Sequence, residues 1–100
     1  MYTTLISAPD LAAHIDEPNW VVIDCRHDLA NLAAGREAYA SAHIRNAYFA
    51  DVETDLSGAK RGADGAFRGR HPLPDRAAFL DTLRGWGIDD DTQVVAYDAH

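Results

Sequence analysis

A chain of 100 residues, 47% hydrophobic and 25% charged, describes one modest globular domain and excludes disordered, collagen-like and low-complexity classes. Its formal charge of −7 excludes the net basic face that nucleic acid or an anionic membrane surface would need. Apolar runs as short as Trp20-Val21-Val22-Ile23 exclude a membrane-spanning helix.

In chain order, Thr4-Leu5-Ile6 reads as a short strand. Ser7 is placed to cap a short helix, with Pro9 in its first turn, Asp10 three residues after the cap, and Leu11 and Ile15 on one face. Trp20–Asp24 is a continuous apolar run closing on an acid, the pattern of a strand buried on both faces. The Ala-rich stretch 29–42 predicts a short helix, and Tyr48-Phe49 a short strand. Gly58, Gly62, Gly65 and Gly69, interleaved with Lys60, Arg61, Arg68 and Arg70, predict a long basic surface loop. Asp75 is a good N-cap for a helix over 75–86, where Phe79, Leu80, Leu83 and Trp86 form an apolar stripe that Gly87 would end. Gln93–Asp98 predicts a second internal strand.

This alternation specifies an α/β fold with a mainly parallel sheet flanked by helices. A strand ending at Asp98 would ordinarily feed a crossover helix and a further strand. The 100 residues are therefore expected to be the N-terminal, incomplete portion of a longer protein, with an open sheet edge that makes them fold poorly alone. The Met1–Leu5 start is neither basic nor strongly apolar, and the single cysteine excludes an internal disulfide, so the expected compartment is the cytoplasm.

Cys25 lies between Asp24 and Arg26-His27. A reactive thiolate needs a nearby cation, but alternation along a strand turns Arg26 to the opposite face, so Cys25 reads as a small core residue. His14, His27, His43, His71 and His100 are scattered; Cys25 and His27 share a strand face, but no second pair with ligand spacing exists. Neither metal nor cofactor is expected. The glycines of 58–69 lack the strand-before, helix-after context of a dinucleotide loop. On charge alone, the basic loop fits an anionic substrate and a solvated surface equally. Tyr97-Asp98 has the stronger position, because open α/β sheets bind ligands outside the carboxyl ends of their strands.

Five segments resemble, in order, the motifs of rhodanese domains. Trp20–Arg26 is similar to the D-x-R strand, and His43-Ile44-Arg45-Asn46-Ala47 to the G-H-I-P-G-A motif, with Ala42, Arg45 and Asn46 in place of Gly, Pro and Gly. Asp55-Leu56-Ser57-Gly58, Arg70-His71-Pro72-Leu73-Pro74 and Val94–Asp98 complete the series. The resemblance is closest to the first domain of tandem sulfurtransferases acting on thiosulfate or 3-mercaptopyruvate. It implies sulfane-sulfur transfer to cyanide or a thiol through a cysteine persulfide. It also implies that Asp98 occupies the nucleophile position, leaving this segment without a nucleophilic Cys, and that a second rhodanese domain of the same chain, beyond residue 100, carries the chemistry. His71, Tyr97 and Arg70 become substrate-side residues, while Asp24, Arg26 and His43 are structural. Besides that second domain, the implied partners are the small-molecule sulfur donor and acceptor. The alternative is a non-catalytic rhodanese-like module used for binding or regulation.

Overall fold

Three parallel strands form the sheet in this computed structural model, which describes residues 2–99. The elements in order are α1 (Ala8–His14), β1 (Trp20–Asp24), α2 (Ala34–Ser41), β2 (Tyr48–Phe49), α3 (Arg76–Gly85) and β3 (Gln93–Tyr97). The sheet order is β2-β1-β3, so β1 is central. It pairs along its whole length with β3, from Trp20 opposite Gln93 to Asp24 opposite Tyr97, and through Ile23 and Asp24 with β2. Among the described residues, no helix is long and apolar enough to cross a membrane.

The central place of β1 explains its unbroken apolar run. Val22 packs on one face with Leu11 of α1, Ala47 and Val95. Val21 and Ile23 pack on the other with Ala50, against which Trp86, Ile88, Leu56 and Cys25 close. Two half-cores on opposite faces of one strand forbid hydrophobic-polar alternation. β3 departs from expectation: it is an edge strand among the described residues, with Val95 buried but Val94 and Ala96 exposed. Val95 packs on the α1 side with Leu11. The strand expected at Thr4–Ile6 does not form; Leu5 is 90% exposed, and only Ile6 packs against the core.

Local signals act as elementary chemistry demands. The Ser7 hydroxyl accepts from the Asp10 N–H, and the Asp75 carboxylate from the Ala78 N–H, each satisfying an orphan donor of its helix. α3 ends at a left-handed Gly87 (φ 75°), with Gly87 N–H donating to Arg84 O and Ile88 N–H to Leu83 O, the paired bonds of a Schellman motif. α3 itself docks mainly through its C-terminal end: Trp86 reaches the core, Phe79 and Leu83 are half-buried, and Leu80 is exposed. The Ala-rich segment is helical only over 34–41. The basic loop folds back at an antiparallel bridge between Arg61 and Phe67, and its base is closed by Gly58 N–H donating to Pro72 O.

Candidate functional site

Parallel strands all point their carboxyl ends to one edge of the sheet, and there Asp24, Cys25, Arg26 and His27 leave β1. Asp24 is fully buried. Its carboxylate accepts from the Arg26 backbone N–H (3.0 Å), from Arg26 Nε (3.0 and 3.1 Å) and from Nη2 (2.7 Å). Nη2 also donates to the carbonyl of Ala42, tying the motif to the end of α2. The Tyr97 hydroxyl donates to Asp24 Oδ2 (2.9 Å) and accepts from the Ile44 N–H (3.2 Å). Burial acts to raise the Asp24 pKa, but the Arg26 and Tyr97 hydrogen bonds outweigh it and hold the carboxyl below the ordinary carboxylate range. Burial, together with donation to the Asp24 anion, pushes the Tyr97 phenol up.

This network locks the end of β1 to β3 and to the turn before β2. His43 accompanies it, stacked on Tyr39 with ring centroids 3.7 Å apart, its Nδ1 2.7 Å from the Tyr39 carbonyl. The turn itself needs a left-handed residue, and Asn46 supplies it at φ 69°. Asn is the non-glycine side chain best suited to that region, which explains how the motif survives without its glycine. Replacing Tyr97 by Phe leaves Asp24 one donor short and the Ile44 N–H unsatisfied. An unpaired buried group costs about 1–3 kcal/mol, so Tyr97→Phe is expected to lower the urea midpoint with an unchanged m-value. Urea unfolding followed by circular dichroism checks this.

A cavity of about 780 Å³ opens beside this edge, lined by Arg26, His27, Asp28, Leu29, the first turn of α2 at Ala34 and Gly35, and Ala99 after β3. Of the residues expected at the substrate, none lines it. Tyr97 is held in the Asp24 network and lines a separate, smaller cavity with Ala42, His43 and Ile44. Arg70 is exposed on the basic loop. His71 is half-buried, with its Nε2 3.0 Å from Glu53 Oε1. Asp98 directly follows β3, and its charge reaches Cys25.

His27 lines the cavity and also joins His71, the two rings meeting edge to face with centroids 5.5 Å apart. Glu53 lies between them, with Lys60 Nζ 3.2 Å from its second oxygen. Hydrogen bonds from His71 and Lys60 hold the Glu53 carboxyl below its ordinary range. Sequence reasoning missed Glu53 and the part played by His27, since three separate loops bring these residues together.

Cys25 does not lie inside the strand. It follows the last residue of β1, half-buried, with its N–H donating to the Tyr97 carbonyl at 2.8 Å. The expectation that this segment holds no candidate nucleophile is therefore corrected: its one thiol sits just after the central strand, at the ligand-binding edge of the sheet. Burial is the main cause that pushes this thiol up, and the Asp24 and Asp98 charges add to it.

The family model for the rhodanese-like domain matches residues 7–100. The chain is 45% identical over 94 residues to the "Probable 3-mercaptopyruvate sulfurtransferase" of Pseudomonas aeruginosa, covering 94% of this chain and 32% of that protein. The solved 3-mercaptopyruvate sulfurtransferase from Leishmania major superposes with a TM-score of 0.79 at 31% identity, over 93% of this chain and 24% of that one. The chain thus spans about a third of the length of the curated relative. One domain match takes up nearly all of its residues, so the second rhodanese domain expected as a partner in the same chain is not found in it, and that expectation is corrected. The D-x-R network, the parallel sheet and the match over 7–100 agree, and the chain belongs to the rhodanese-like domain family.

Proposed function

We propose that the chain serves sulfane-sulfur transfer from an anionic donor, thiosulfate or 3-mercaptopyruvate, to cyanide or a thiol. The observation that carries this reading is the cavity at the carboxyl edge of a rhodanese-like sheet, with Arg26 and His27 in its wall and Cys25 directly before them in sequence. Thiosulfate and 3-mercaptopyruvate are both anions, and cationic or hydrogen-bonding side chains at that edge suit them. His71 and Arg70 are assigned to the approach of the donor. Tyr97, with Asp24, Arg26 and His43, holds the end of β1 that carries the cavity wall.

The transfer step requires a thiolate. Its sulfur attacks the sulfane sulfur, a new S–S bond forms, and the bond to the donor breaks with its electron pair leaving on sulfite or on the pyruvate enolate. Cyanide or a thiolate then takes the outer sulfur and returns the thiolate. Cys25 is the one thiol of the chain and hence its candidate carrier. Intact mass spectrometry after incubation with either donor is expected to show one adduct of about 32 Da, absent in Cys25→Ser. In the cyanide assay, His71→Ala and Arg70→Ala are expected to raise KM more than they lower kcat.

The raised pKa of Cys25 favours a second reading, a module that binds the donor without loading sulfur. Donor binding that leaves the mass unchanged, and that Cys25→Ser does not alter, would select it.

A further inference from the structure

We infer that His27, Glu53 and His71 form a binding site for a divalent cation of the zinc class. The three come from three connections at the carboxyl edge: His27 after β1, Glu53 after β2 and His71 ahead of α3. One ligand atom from each lies within 4.8 Å of the other two. His71 Nε2 stands 3.0 Å and His27 Nε2 3.8 Å from the same oxygen, Glu53 Oε1. Two imidazole nitrogens and one carboxylate oxygen, with room for a fourth ligand, are the donor set of open zinc sites. Tetrahedral zinc with bonds near 2.0–2.1 Å needs donor atoms about 3.3 Å apart, so the triangle has to contract by at most about 1.5 Å at its longest edge.

The second observation is independent of the clustering. His27 Nε2 is buried and has no hydrogen-bond partner among the described residues. Glu53 is within hydrogen-bond distance of His71 and pairs with Lys60, whereas His27 Nε2, 3.8 Å from Glu53 Oε1, is within ion-pairing distance but beyond hydrogen-bond reach. A buried polar atom normally has a partner, and a cation held between this nitrogen, the carboxylate and the second imidazole would supply one. Lys60 opposes such a cation by charge, but it faces the other oxygen, Oε2, and its half-exposed side chain is free to turn into solvent. Spacing along the chain hides the site, because no two of its ligands are near neighbours in sequence.

The inference does not rest on sulfur transfer, and its test does not use it. Zn²⁺ alone is titrated into the full chain by calorimetry, and Co²⁺ is followed by its visible absorption. One equivalent is expected to bind, with the strong visible bands of four- or five-coordinate cobalt. His27→Ala, His71→Ala and Glu53→Gln are each expected to weaken binding by at least about tenfold, since loss of even an outer partner costs a metal site that much. Lys60→Met is expected to bind as well or better, and His14→Ala to bind unchanged, because His14 pairs with Glu17 elsewhere. Should His27→Ala lose its circular-dichroism signal, His27→Gln, closer in size and polarity, takes its place. Absence of stoichiometric binding, or binding unchanged in both the His27 and the His71 variants, would overturn the assignment.

Discussion

Arg26→Ala is expected to be among the most destabilising single changes in the chain. Asp24 has no exposed surface, and among the described residues Arg26 is its only cationic partner, through three side-chain hydrogen bonds, the shortest of them 2.7 Å. Removing one member of a buried pair leaves the other charge uncompensated, at a cost of about 3–5 kcal/mol. The lower end, about 3 kcal/mol, applies because the Arg26 side of the pair is partly open to solvent. Arg26→Lys is expected to recover only part of this, since an ammonium cannot reproduce the forked contact with the carboxylate or reach Ala42 O at the same time. Chemical denaturation of the two variants beside wild type checks the order.

The same pair fixes the acid limb of stability. The folded pKa of Asp24 is depressed, so its contribution is fully present above the unfolded carboxylate value near 3.9 and is lost as pH falls through the lower folded value. Stability is therefore expected to hold from neutral pH to about pH 5 and to fall below it. In Tyr97→Phe, which lacks one of the hydrogen bonds that lower this pKa, the fall should begin at the same pH, be smaller and end at a higher pH. Thermal melts between pH 3 and 7 read both.

Gly35→Ala is the second large effect. Gly35 is buried in the first turn of α2, and a Cβ there would overlap the Arg26 carbonyl oxygen and lie 3.0 Å from its carbon. Both are backbone atoms of the segment that Asp24 holds, so α2 has to move away. Phe49 Cζ, 3.3 Å from the same point, blocks a small tilt. Overpacking of this kind costs about 1–3 kcal/mol. It should also reshape the cavity, which Gly35 and Arg26 line together. Gly85→Ala is the control: a Cβ there meets nothing within 4 Å and adds helix propensity at the end of α3, so it should stabilise by roughly 0.4–1 kcal/mol. Paired melts of the two variants should shift in opposite directions.

The elements with local causes were legible in the chain. Ser7 and Asp75 carry their own cap hydrogen bonds, Gly87 its left-handed φ, and the Trp20–Asp24 run its burial on both faces. The alternation of such elements was enough for a parallel α/β sheet, and the D-x-R, His43 and Val94–Asp98 segments were enough for the family. Thr4–Ile6 misled because a β-prone triplet carries no information about a partner strand, and none pairs with it here.

What the sequence by itself determined, then, is the architecture and the Asp24-Arg26 motif, because caps, turns and a two-residue charge pair act over a few residues. Tertiary structure alone decided the strand order β2-β1-β3, since strand order depends on which surfaces meet. It also decided that Cys25 stands just past the strand at the ligand-binding edge, because strand length is set by pairing with neighbours. It alone gathered His27, Glu53 and His71, because three loops converge only when parallel strands align their carboxyl ends, and no spacing along the chain encodes that convergence.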